Sequence, residues 1–166
     1  MRSVVLIRHT KSDWTSAVAD FDRPIREDRK EDATLIAREI ARRGFRPDYI
    51  AASPARRTLQ TAKLICQEWD YKYADVVQDK TLYESTPYEI IQHLRGLDDK
   101  IQNAVVICHN PSITYFLNRY GDTYIDNVPT TGAALIRFDK GHWADIGERG
   151  KMEWFLRPKD LRKQQQ

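Results

Sequence analysis

A three-layer α/β fold, with helices on both faces of a mostly parallel central sheet, is predicted by three features of this 166-residue chain. Short runs rich in Val, Ile and Ala recur at strand length, stretches with apolar residues at helical spacing separate most of them, and two of the runs end in histidine. Parallel strands need a crossover of helix length, so strands alternating with helices at this pitch favour parallel pairing.

The first strand is expected over residues 3–7, where Val4-Val5-Leu6-Ile7 reads as a buried run and leads into Arg8-His9-Thr10. In open α/β sheets the ligand crevice lies just beyond the carboxyl ends of such strands, which is where Arg8 and His9 fall. The first long helix is expected from about residue 26 to 43, with Ala33, Ile36, Ala37, Ile40 and Ala41 at helical spacing and Gly44 as its C-cap. A short strand follows at 49–52. Ser53-Pro54 then opens a helix from Ala55 to about Trp69, which turns Leu59, Ala62 and Ile65 or Cys66 toward the sheet. Its first turn holds Arg56, where a guanidinium and free backbone N–H groups can face an anion together.

Further strands are expected at 75–78, 104–108, 133–138 and 152–156, with short helices over Tyr88–Leu94 and Ser112–Tyr120. The run Ala104-Val105-Val106-Ile107-Cys108 ends at His109-Asn110-Pro111, just as the first strand ends at His9. The last one or two strands are expected to be antiparallel. One domain covers residues 1–158. Residues 159–166, with Lys159, Arg162, Lys163 and three glutamines, read as a frayed polar tail.

Composition narrows the function classes. Hydrophobic residues make up 41% and charged residues 31%, a globular profile, and no apolar run approaches the roughly 20 residues of a membrane span. The chain runs from Met1 almost directly into a strand, so no secretory segment is expected and the cytoplasm is the default address. Cys66 and Cys108 form no metal-ligand or disulfide pattern, and neither a metal nor a cofactor is expected. The net charge of +3 is too small to imply a nucleic-acid surface. Arg23, Arg26, Arg29, Lys30, Arg42, Arg43 and Arg46 are interleaved with Glu27, Asp28, Glu31, Asp32 and Glu39, the pattern of a solvated mixed-charge face.

A lone histidine at a strand end is ordinarily a hydrogen-bonded structural residue. Two histidines at two strand ends, with arginines beside them, suit phosphoryl transfer, in which charge spreads over three peripheral oxygens and catalysis is mostly positioning and neutralisation. Arg8 and Arg56 can each bind phosphate oxygens in pairs, a charged His109 adds a third cationic donor, and His9 is left as an imidazole nucleophile. Lys11, Ser12 and Arg23 either line the mouth of such a pocket or belong to a surface loop. His93 and His142 end no core strand and read as packing or surface residues. Asp20-Phe21-Asp22 has the spacing of an aspartyl phosphatase motif but follows no apolar strand, and Cys108 lacks the arginine six residues on that a thiol phosphatase needs, since Thr114 stands there.

Arg8-His9-Thr10, the block Ser53-Pro54-Ala55-Arg56-Arg57-Thr58-Leu59-Gln60-Thr61-Ala62 and the late Cys108-His109-Asn110-Pro111 resemble the histidine phosphatase superfamily, which has the phosphoglycerate mutase-like fold. Asp22-Arg23-Pro24-Ile25, Leu82-Tyr83-Glu84, and Phe155 with Pro158-Lys159 resemble its small SixA-type phosphohistidine phosphatases. The resemblance spans nearly the whole chain. It implies His9 as the phosphorylated nucleophile and Arg8, Arg56 and His109 as the phosphate pocket. Thr10 replaces the usual Gly or Ala and can narrow the pocket or bond a phosphate oxygen, while Arg29 stands where the family commonly has Gly. Glu84 is the one candidate for a general acid, with a helix-capping or surface carboxylate as the competing reading.

The resemblance implies a metal-independent phosphatase acting on phosphohistidine in a phosphorylated protein. The alternatives are a phosphomonoesterase for a small sugar or nucleotide phosphate, which needs a working acid such as Glu84, and a phospho-ligand binding module without turnover. A phosphoglycerate mutase is disfavoured because those enzymes are longer and close over a bisphosphate. Oligomeric state is left open.

Overall fold

The computed structural model describes residues 1–165 and contains a six-stranded sheet in the order β3-β2-β4-β1-β5-β6. The strands are β1 (Arg2–Arg8), β2 (Tyr49–Ala52), β3 (Val77–Gln78), β4 (Asn103–Cys108), β5 (Ala133–Phe138) and β6 (Lys151–Leu156). Five helices accompany them: α1 (Lys30–Arg42), α2 (Arg56–Trp69), α3 (Pro87–Arg95), α4 (Ser112–Tyr120) and α5 (Pro158–Gln164). β1 pairs in parallel with β4, and β2 in parallel with β4 and β3. Both pairings of β5 are antiparallel, so β5 is the one reversed strand of this sheet.

Successive side chains of a strand point to opposite faces, and β1 shows how this builds two cores. Val4 and Leu6 join α3, α4 and Trp143 on one face, while Val5 and Ile7 join α1, α2 and Leu161 of α5 on the other. All four β1 residues are fully buried, each worth about 2 kcal/mol of apolar transfer. The three layers predicted from sequence are therefore present, with α1, α2 and α5 opposite α3 and α4.

Three differences from the sequence expectation have physical causes. The helix expected from residue 26 begins at Lys30, because Arg29 (φ −118°, ψ 0°) leaves helical geometry between a 3-10 turn at Glu27–Arg29 and α1. Gly44 does end α1, with a φ of +88° that a side chain rarely tolerates. The strand expected at 75–78 pairs only through Val77 and Gln78, since Tyr73–Asp75 forms a 3-10 turn. Residues 158–164 are not a frayed tail. Pro158 starts α5, Leu161 is buried in the α1–α2 layer, and Arg162 pairs with Asp32 of α1.

Candidate active site

β1 and β4 are neighbours whose following helices, α1 and α4, lie on opposite faces, so their carboxyl ends form the crevice of a topological switch point. Parallel register pairs Arg8 with Cys108, and the next residue of each strand is a histidine. The His9 N–H still donates to the Cys108 carbonyl at 3.1 Å, which holds the two histidines side by side with ring centroids 5.2 Å apart. Both are buried, at 7% exposure.

Each imidazole has a defined hydrogen-bond partner. His9 Nδ1 lies 2.7 Å from the Thr10 carbonyl oxygen, which can only accept, so Nδ1 carries the proton and Nε2 the lone pair. His109 Nδ1 faces the Arg57 guanidinium at 3.4 Å and accepts from it, leaving Nε2–H to donate to Ser53 Oγ at 2.8 Å. Burial is the main reason His9 is held down to about 3, with His109, Arg57 and Arg8 acting in the same direction against the hydrogen bond to Thr10. Burial, then Arg57, lowers His109 to about 4. His109 is therefore a neutral donor in the free site and not the charged one expected from sequence.

The arginines are arranged differently from the sequence expectation at one position. Arg8 donates from Nη1 to the Val128 carbonyl at 2.9 Å. Arg56 is exposed, and its only side-chain hydrogen bond among the described residues is a 3.4 Å contact with the Asp22 carbonyl, outside the cluster. Arg57, its neighbour, is the buried one: it reaches His109 and also donates to the Asp20 backbone carbonyl at 2.7 Å and to its carboxylate at 3.1 Å. Consecutive helical residues diverge by about 100°, so Arg56 and Arg57 at the start of α2 leave the helix in different directions, Arg57 toward His109 and Arg56 toward solvent. The assignment of Arg56 to the pocket is corrected to Arg57.

Asp20 organises the rim. Its carboxylate accepts from Arg23 at 2.8 Å, from Arg57 at 3.1 Å and from the Tyr83 hydroxyl at 2.6 Å. The Arg23 bond first, and the Tyr83 bond next, hold this carboxyl far below the usual carboxylate range. The Tyr83 ring meets His109 edge-on at 5.5 Å. Arg23 is buried and stacks on Trp14 at 3.5 Å. Arg8 Nε, Arg57 Nε, and Arg23 Nε and Nη1 are buried donors without a partner among the described residues. Each such group costs about 1–3 kcal/mol if unmet, and an anion with several oxygens is the kind of ligand that can satisfy guanidinium donors of this sort.

Other expected contacts fall elsewhere. Thr10 is fully buried; its N–H donates to Thr61 Oγ1 at 2.9 Å and its hydroxyl accepts from Thr131 at 3.1 Å, so it fixes the strand end and does not face a ligand. Ser12 is buried in a bridge with Ile25. Lys11 is exposed and lines a neighbouring basic cavity. Glu84 is exposed at a φ of +55°, directly after Tyr83, and makes no side-chain hydrogen bond among the described residues. Among those residues no group of three or more His, Cys, Asp or Glu side chains is placed to hold a metal ion. Among the described residues no helix is long and apolar enough to cross a membrane. His93 bridges Tyr49 and Asp79 in the α3 layer, and His142 pairs with Asp99, both structural roles.

Sequence reasoning missed Arg57, Asp20, Tyr83, Ser53 and Thr58, whose hydroxyl lies 3.3 Å from His109 Nε2. The helical period supplied a signal for two of them, because Thr58 and Arg57 turn inward from α2 when Ala62 and Ile65 do. Asp20 and Tyr83 lie in 3-10 and loop segments without periodicity.

The model of the histidine phosphatase superfamily (branch 1) matches residues 4–91. An uncharacterised chloroplast protein of Arabidopsis thaliana is 35% identical over 153 residues, covering 87% of this chain and 70% of that protein. A candidate phosphohistidine phosphatase SixA from Agrobacterium tumefaciens superposes with a TM-score of 0.77 at 25% identity, covering 95% of this chain and 99% of the other. The protein histidine phosphatase SixA solved with tungstate shares the fold at a TM-score of 0.82, with 18% identity and coverage of 96% and 99%. The chain is thus a phosphatase that belongs to the histidine phosphatase superfamily (branch 1) and resembles its SixA-type members.

Proposed function

We propose that His9 is the phosphoryl acceptor of a metal-independent phosphatase and that its substrate is phosphohistidine in a protein. The observation that carries this reading is the His9 imidazole itself: Nδ1 is tied to the Thr10 carbonyl, burial keeps the ring neutral, and Arg57 and His109 stand beside it. The Nε2 lone pair attacks phosphorus in line, the bond from phosphorus to the leaving group breaks, and its electron pair departs with that group. The ring, now cationic, keeps its Nδ1–H on Thr10. Water then attacks phosphorus, the P–N bond to His9 breaks, and inorganic phosphate leaves with one proton released. Arg8, Arg57, Arg23 and His109 hold the peripheral oxygens.

Phosphohistidine is favoured over an alkyl ester by Glu84, which is exposed and not hydrogen-bonded to any described group. An alkoxide leaves poorly without a positioned acid, whereas a P–N bond to a protonated imidazole releases a neutral ring. A site beside the exposed side chains of Trp14 and Phe21 also suits a macromolecular substrate. The test is a turnover assay on a phosphohistidine protein and p-nitrophenyl phosphate under EDTA, with wild type and His9→Ala. Turnover of both by wild type, higher kcat/KM on phosphohistidine and none in His9→Ala is expected. Phosphate binding without turnover in wild type would replace the enzyme by a binding module.

A further inference from the structure

Beside the phosphoryl site lies a second cavity of about 400 Å³ whose walls include Lys11, Arg29, Arg157, Lys159 and Arg162. Two of these cations are neutralised locally: Arg162 pairs with Asp32, and Arg157 with Asp160 at 2.9 Å. Lys11, Arg29 and Lys159 have no carboxylate partner among the described residues, and Arg29 Nε is a buried donor with no hydrogen bond. A concave site with three uncompensated cations concentrates positive potential and draws anions.

The cavity and the phosphoryl site share a wall one segment thick. The Val128 carbonyl accepts from Arg8 at 2.9 Å and from Asn110 at 3.1 Å, and the Thr131 N–H donates to the Arg8 and His9 carbonyls at 3.0 Å. Asn127, Pro129 and Thr130 of that segment line the basic cavity. Lys11 lies two residues after His9, about 7 Å along extended chain, so one substrate can reach both sites.

We propose that this cavity binds a second anionic group of the substrate, a carboxylate or a phosphate, while the phosphoryl group being transferred sits at His9. The inference rests on the phosphatase reading of His9 and adds to it a charge requirement on the leaving group. Lys11, Arg29 and Lys159 make the contacts, and the protein selects against leaving groups that carry no second anion.

The test compares kcat/KM for phenyl phosphate with that for phenyl phosphates bearing carboxymethyl or phosphonomethyl at the meta or para position. The methylene keeps leaving-group basicity nearly constant. In wild type at least one anionic substrate should exceed phenyl phosphate roughly tenfold, and the advantage should shrink with added salt. The preferred substituent distinguishes carboxylate from phosphate. In Arg29→Gln/Lys159→Gln, and partly in Lys159→Gln alone, the ratio should fall toward one. A wild-type ratio within twofold of one for every substituent, or a ratio that survives in the double variant, overturns the proposal. In either case phenyl phosphate turnover that vanishes in His9→Ala leaves the covalent reading standing, whereas turnover that persists in His9→Ala removes it.

Discussion

Replacing Arg57 by alanine takes away the guanidinium that faces His109 and the Asp20 carboxylate, together with one of the buried unpartnered donors at the site. A charge-assisted hydrogen bond is worth about 1.5–3 kcal/mol, and donors aimed at the transferring phosphoryl group act mainly in the transition state. Two such bonds correspond to a loss of about 10²–10⁴ in kcat/KM. Arg56→Ala removes an exposed side chain whose one hydrogen bond is a 3.4 Å contact to the Asp22 carbonyl, and should leave kcat/KM within about twofold. The assay is steady-state hydrolysis of p-nitrophenyl phosphate under EDTA, with thermal melts to show that both variants fold. A larger loss for Arg56→Ala than for Arg57→Ala would refute the placement of the phosphate pocket.

Three further outcomes are expected. His9 and His109 titrate near 6.5 when unfolded but are held to about 3 and about 4 in the fold, so the unfolded chain binds more protons between these limits and stability falls as pH drops through that window. From pH 7 to pH 5 each histidine accounts for about 2 kcal/mol, and urea unfolding of His9→Gln should show a correspondingly smaller pH effect; an equal effect would mean His9 is not held neutral. Thr10→Val leaves the buried Thr131 hydroxyl unpaired and should cost about 1–3 kcal/mol in urea unfolding with kcat/KM changed less than about threefold; a selective rise in KM would instead make Thr10 a substrate contact. Glu84→Gln should change turnover of an alkyl phosphate by less than about threefold, and a tenfold or greater loss there with p-nitrophenyl phosphate turnover unchanged would make Glu84 the proton donor after all.

The parts of the fold that show a single period in the sequence were readable from it. Val4–Ile7 and Ala104–Cys108 are buried on both faces and appear as continuous apolar runs, and the apolar spacing of α1, α2 and α4 gave their extents to within a few residues. The strand ends located His9 and His109, because parallel register at a switch point brings the residues after β1 and β4 together. The choice between Arg56 and Arg57 was open to the helical period, since Arg57 and not Arg56 shares the inward phase of Thr61 and Ile65 in α2. The site's acidic anchor was not readable: Asp20 meets Tyr83 across 63 residues, and neither belongs to a periodic element. α5 was hidden by its charge, since one buried Leu161 and one ion pair between Arg162 and Asp32 dock a segment that is otherwise polar.

The central claim is that phosphorus becomes bonded to His9 Nε2 during turnover. Rapid mixing with a phosphorylated substrate, an alkaline quench and peptide mapping by mass spectrometry measure that bond directly. The account predicts a phosphorylated peptide containing His9 that is stable in alkali, labile in acid, formed within one turnover and absent from His9→Ala. Turnover at an undiminished rate with no phosphate on His9, or with phosphate on His109 instead, would contradict it.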